Sequence, residues 1–193
     1  MLRPASTDNV EGASVQMRQR ILLSLGVVLV ALIATTAALA STLTATATVS
    51  GTAGVSLSLP AAPSFSDTLD GSDQTVSYSP VLGIVDARGS GAGWNLTVSA
   101  TTFTDASSHS FAAGSVTAVA QACHSGSSCT QATSSGITYP LTLTGTAAKV
   151  FNAALNTGMG KVDVTPTIQV AIPGNAYAGT YTSTLTLATA TGP

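Results

Sequence analysis

The chain has 193 residues but only 6 Lys and Arg against 8 Asp and Glu, a net charge of −2. Charge this sparse excludes a nucleic-acid partner, because phosphate binding needs clustered Lys and Arg, and it lies far below the roughly quarter of charged residues usual for a soluble cytosolic protein. The recurrence of alternating Val, Leu and Ile excludes intrinsic disorder, which needs low hydrophobicity.

The first 40 residues form an N-terminal extension and a secretory signal peptide. Arg18 and Arg20 flank the apolar run Ile21 to Ile33, and Ala38-Leu39-Ala40 is a small-x-small cleavage site, so cleavage is expected after Ala40. The alternative is a retained anchor, because Ile21 to Ala40 approaches the about 20 apolar residues that span a bilayer. The start is Met1 or Met17. The mature part, 41–193, is one domain's length, and an extracellular setting follows from export. Its charged side chains are Arg88, Lys149 and Lys161 against Asp67, Asp70, Asp73, Asp86, Asp105 and Asp163.

From Ser41 onward the apolar positions alternate with period 2 and no long stretch shows helical periodicity, which predicts an all-β fold. Leu43, Ala45, Ala47 and Val49 predict a first strand, and Val55, Leu57 and Leu59 a second. A loop from Pro60 to Asp73 follows. Val76 and Tyr78 belong to one strand and Val81 to Ala87 to another, separated at Pro80, which cannot donate a ladder hydrogen bond. In the next strand Trp94, Leu96, Val98 and Ala100 share the inward face, opposite Asn95, Thr97, Ser99 and Thr101. Further strands are expected at Val116 to Gln121, Ile137 to Leu143, Thr167 to Ile172 and Thr180 to Leu187. Pro140 places the second of these at an edge or on a bulge. Lys149 to Leu155 fits a strand or a short helix. About nine short strands imply a two-layer antiparallel β-sandwich or a barrel, of which the sandwich is preferred. Cys123 and Cys129 bracket five residues, and in an oxidising compartment they read as a local disulfide. A metal site with His109 and His124 is the alternative, against which the cysteine spacing argues.

Asp86-Ala87-Arg88-Gly89-Ser90-Gly91-Ala92-Gly93-Trp94-Asn95-Leu96 is the most distinctive run. Asp86 and Arg88, two apart, point to the same face of an extended chain. Arg88 either contacts an anionic or sugar ligand or closes the loop as a structural bridge. Gly89, Gly91 and Gly93 permit positive φ or a close backbone approach. Trp94 either packs in the core or offers a platform to a sugar ring. The candidate ligand-binding set is therefore Asp86, Arg88, Gly89, Gly91, Gly93 and Trp94. Catalysis finds no support. His109 and His124 sit in serine-rich loops, Asp67, Asp70 and Asp73 look like turn residues, and no nucleophile elbow or metal-ligand spacing occurs. No enzyme activity and no cofactor is expected.

The run Asp86 to Val98, with Phe103 shortly after, resembles the proximal motif of the WxL domain, a surface module of bacteria with thick cell walls. Val150 to Gly160 looks like that family's apolar segment leading into a Gly-x-Gly turn. Ala178-Gly179-Thr180-Tyr181, then Leu185-Thr186, looks like its distal motif, in which Leu187 stands where a second tryptophan normally follows. The resemblance implies that Trp94, Leu96, Tyr181, Leu185 and Leu187 are motif residues, and that the protein attaches non-covalently to the cell wall with peptidoglycan as ligand. A different reading makes it a structural subunit. The threonine-rich segment Ser41 to Val49 would then add as a strand to another copy or to another surface protein.

Overall fold

The computed structural model describes residues 46–193. These carry eleven strands and no helix: β1 (Val55–Ser58), β2 (Gln74–Tyr78), β3 (Leu82–Asp86), β4 (Trp94–Ala100), β5 (Phe103–Thr104), β6 (Ser110–Phe111), β7 (Ser115–Cys123), β8 (Leu141–Thr142), β9 (Ala148–Ala153), β10 (Gly160–Ile172) and β11 (Leu185–Thr191). The signal segment at 1–40 lies outside the described residues, as does the part of the predicted first strand that precedes Thr46.

Alternation in the sequence becomes alternation in burial. Along β4 every second residue from Trp94 to Ala100 is buried, the face the pattern predicts. β4 pairs with β11 on one side and β9 on the other, forming a three-stranded antiparallel sheet. A larger antiparallel sheet runs β1-β3-β10-β7-β8, with β2 also on β10. Inward side chains of both sheets enter one buried cluster. Leu82, Ile84, Val116, Val162, Val164, Ile168 and Val170 come from the larger sheet, and Trp94, Leu96, Val98, Val150 and Phe151 from the smaller. A third sheet is the β5–β6 hairpin.

β10 is the spine of the larger sheet, and its proline explains a break beside it. β2 runs along its second half, Tyr78 opposite Ile168, and β3 along its first half, Leu82 opposite Val164. Between these pairs Pro80 and Pro166 occupy facing positions. Neither can donate a ladder hydrogen bond, so the interruption predicted at Pro80 falls where two donors are missing at once.

Four expectations change. Residues 46–50 form no strand, and Val49 is exposed, so the predicted first strand is absent over its described part. The strand expected from Ile137 to Leu143 shrinks to β8, because the chain up to the cis Tyr139–Pro140 bond is irregular and the Tyr139 hydroxyl donates to Val150 O. Of Lys149 to Leu155, the part up to Ala153 is strand: β9 pairs antiparallel with β4, with a shift in register between Leu96 and Thr97, and tertiary pairing overrides the helical stripe. The last strand begins at Leu185 instead of Thr180, Thr182 making only an isolated bridge to Thr104. Cys123 and Cys129 are joined by a disulfide, Cα–Cα 5.5 Å, which clips the loop after β7 beside the start of β10, where Cys129 bridges Gly160.

Candidate functional site

The loop from Ala87 to Gly93 joins β3 to β4, and Asp86 and Arg88 stand at its start. Their side chains form a bidentate pair: Arg88 Nε donates to Asp86 Oδ1 and Nη2 to Oδ2, both at 2.8 Å. The same guanidinium donates from Nη2 to Gly93 O at 2.7 Å and from Nη1 to the Thr191 hydroxyl at 3.0 Å. Four of its five N–H donors are thus committed within the domain. The pair is nearly inaccessible, with side-chain exposures of 7% for Arg88 and 1% for Asp86. Hydrogen bonding from Arg88 holds the Asp86 carboxyl below the usual carboxylate range, against burial, which acts to raise it.

Trp94 is fully buried and its Nε1 donates to Gly158 O at 2.9 Å. Gly158 has φ +68°, and a Cβ there would stand 2.5 Å from the Ala153 Cβ and 2.7 Å from the indole nitrogen. Gly93 has φ +70°, and a Cβ there would overlap Ala153 O. Both glycines are required by backbone conformation and by close approach. Gly89 and Gly91 also have positive φ, as the spacing predicts. The end of β11 closes over the loop: Gly192 N donates to Gly93 O at 3.1 Å, and Asn95 Nδ2 donates to Gly192 O at 2.8 Å. Three separate sequence segments, Asp86 to Trp94, the Gly158 turn and Thr191-Gly192, therefore meet as one clasp.

Of the candidate ligand-binding residues, the clasp takes Asp86, Arg88, Gly93 and Trp94, and Gly91 is buried beside it, its carbonyl accepting from Asn156 N at 2.7 Å. Only Gly89 is exposed. With four of its five guanidinium donors bonded within the domain and the indole enclosed, Arg88 and Trp94 have the surroundings of the structural alternative for this motif. Leu96 is buried, while Tyr181, Leu185 and Leu187 are half-buried against the core. Leu187 pairs with Val98, whereas Trp94 pairs with Thr191. Four residues along β4, about 13 Å at roughly 3.3 Å each, separate the two positions. They form no shared aromatic platform. His109 and His124, the alternative metal ligands, contact different aspartates, Asp105 and Asp163.

A second constellation lies where the β5–β6 hairpin meets the segment from Pro173 to Tyr181. His109 Nδ1 stands 2.8 Å from Asp105 Oδ2, and Asp105 Oδ1 accepts from the backbone of Ser107 and His109 at 2.9 and 2.8 Å. Hydrogen bonding from His109 is the main cause that holds the Asp105 carboxyl below its ordinary range. The Tyr177 ring stacks on His109 with centroids 3.8 Å apart. Phe111 packs on Tyr181, whose hydroxyl donates to Tyr177 O at 2.9 Å. These side chains, with Pro173, Asn175 and Ala176, line an open groove of about 280 Å³. Sequence reasoning missed it, because its residues come from two distant segments. The signal it left was the gathering of four aromatic and histidine residues at 109, 111, 177 and 181 in a chain with 5% aromatics.

The described residues thus form an all-β, weakly charged domain locked by a buried Asp–Arg–Trp clasp. The chain matches the family model described as WxL domain surface cell wall-binding over residues 58–193, and it belongs to that family. Among curated proteins and among solved structures no match was found. Membership makes the domain one of a family of surface, cell-wall-binding domains.

Proposed function

We propose that the protein is exported, loses residues 1–40, and attaches non-covalently to the cell wall with peptidoglycan as its ligand, binding without catalysing a reaction. The observation that carries this reading is the family match, which spans residues 58–193 of the folded unit at Thr48–Pro193. The sparse charge supports it, because a hydroxyl-rich surface suits the hydroxyl-rich and amide-rich glycan strands better than a polyanion. The buried clasp supports a division of labour in which the motif holds the fold and another surface holds the wall. Purified protein mixed with isolated walls and with peptidoglycan stripped of other polymers should sediment with both. Recovery wholly in the supernatant, under conditions where a known wall binder sediments, overturns the reading.

One observation favours a second reading, assembly by strand addition with another copy or another surface protein. Residues 46–50 are exposed and form no strand, so their threonine-rich alternation has no ladder partner among the described residues. A concentration-independent monomer by light scattering, alone and with candidate surface proteins, counts against it.

A further inference from the structure

We propose that the groove lined by His109, Asn175, Tyr177 and Tyr181 is a sugar subsite, in which an uncharged hexopyranose of a wall glycan packs its apolar face on Tyr177. The proposal rests on the wall-binding reading and names the chemistry of its contact. Tyr177 is 64% exposed although His109 stacks on it at 3.8 Å with an interplanar angle of 15°. One ring face is therefore covered and the other open. A pyranose presents a face of C–H groups and a rim of hydroxyls, which fits an aromatic ring bordered by polar atoms.

The polar border follows from Asp105. Its carboxyl, held ionised by its hydrogen bonds, can only accept, so the proton between it and His109 sits on Nδ1. In the neutral imidazole Nε2 is then an acceptor, and it has no partner among the described residues. The exposed Asn175 amide adds two donors and an acceptor, and makes no hydrogen bond of its own among the described residues. No Lys or Arg lines the groove, and Asp105 stands beside it, so a phosphate polymer or a peptide carboxylate would meet no counter-charge. Its volume, about 280 Å³, lies just below the roughly 300–1,000 Å³ of small-molecule pockets. That is room for one ring of a chain that continues into solvent. Beside it Phe111, Phe103, Phe65 and Tyr78 continue the aromatic packing, so the floor of the groove is backed by stacked rings.

The test is a titration of the purified protein with a β-1,4-linked N-acetylglucosamine tetramer, followed by backbone amide chemical shifts. Shifts are expected at 105–111 and 173–181, and not around Trp94. Tyr177→Ala should weaken binding about tenfold or more, and so should Asn175→Trp, which fills the groove from an exposed position while leaving the stacked pair intact. A tetramer that shifts neither segment, or that binds both folded variants as it binds the parent protein, overturns the subsite. Sedimentation with purified peptidoglycan and with uncharged wall polysaccharide freed of peptidoglycan distinguishes the two sources of the sugar. If the parent protein sediments with walls and both variants sediment equally, the groove is refuted and the wall reading survives. If the tetramer occupies the groove but walls do not retain the protein, the subsite stands and the wall reading falls.

Discussion

The clasp around Trp94 and the groove around Tyr177 use similar chemistry to opposite ends. Each joins a carboxylate to a nitrogen base and sets an aromatic ring beside it. In the clasp Arg88 makes four internal hydrogen bonds and the indole is wholly enclosed. In the groove His109 makes one side-chain hydrogen bond, to Asp105, and Tyr177 leaves a face open. The difference teaches that a conspicuous motif marks where the chain must meet itself. A surface that meets something else needs unsatisfied groups, and these leave no compact signature in sequence.

The comparison is broken most forcefully at Arg88. Arg88→Ala leaves Asp86 ionised and buried without its partner, and losing one member of such a pair costs about 3 to 5 kcal/mol. Urea denaturation should show that loss, while the folded fraction retains wall binding. Loss of binding with unchanged stability would make the clasp a ligand site after all. Gly158→Ala comes next. It forces a Cβ against Trp94 at a positive φ, and strain of this kind costs about 1 to 3 kcal/mol. Fluorescence of the single tryptophan should report the displaced indole; an unshifted emission maximum with full stability would show that the turn yields freely.

Acid should act on both ends in the same direction. Asp86 and Asp105 have folded-state pKa values below their ordinary ones, so between the two values the unfolded chain binds more protons. Their contribution is complete above the unfolded carboxylate value of about 3.9 and is lost as pH falls through the folded values. Denaturation midpoints followed from pH 6 down to pH 2 should therefore fall below about pH 4. In Asp86→Asn the fall should be shallower, and an identical slope would remove Asp86 from the linkage.

Much of the fold was legible because one face of β4 and one face of β10 are buried, and period 2 records that directly. The family motif was legible for the same reason that it is structural: Asp86, Arg88 and the glycines are close in sequence and each is dictated by local geometry. Its role was open, because alternation places Trp94 inward but cannot show that Gly158 and Thr191 arrive to saturate the loop. The strand at Ala148–Ala153 was ambiguous because its pairing with β4 is non-local. The late start of β11 has a similar cause: the Tyr177–Tyr181 segment is held by the β5–β6 hairpin through Thr104, and no local pattern encodes that partner.

The smallest expected effect separates the two ends most sharply. Tyr177→Ala removes a ring that is mostly in solvent and whose main neighbour, His109, stays anchored by Asp105 through Nδ1. Stability should change by less than about 1 kcal/mol, because an exposed substitution outside the core carries little beyond the lost stacking contact. The urea midpoint should therefore lie near the parent's, in contrast to Arg88→Ala. A large loss would mean that the 173–181 segment depends on the Tyr177 ring for its docking, through the stack on His109. The Tyr181 hydroxyl donates to the Tyr177 backbone oxygen, a bond that survives the substitution, so the open ring is expected to be dispensable for folding.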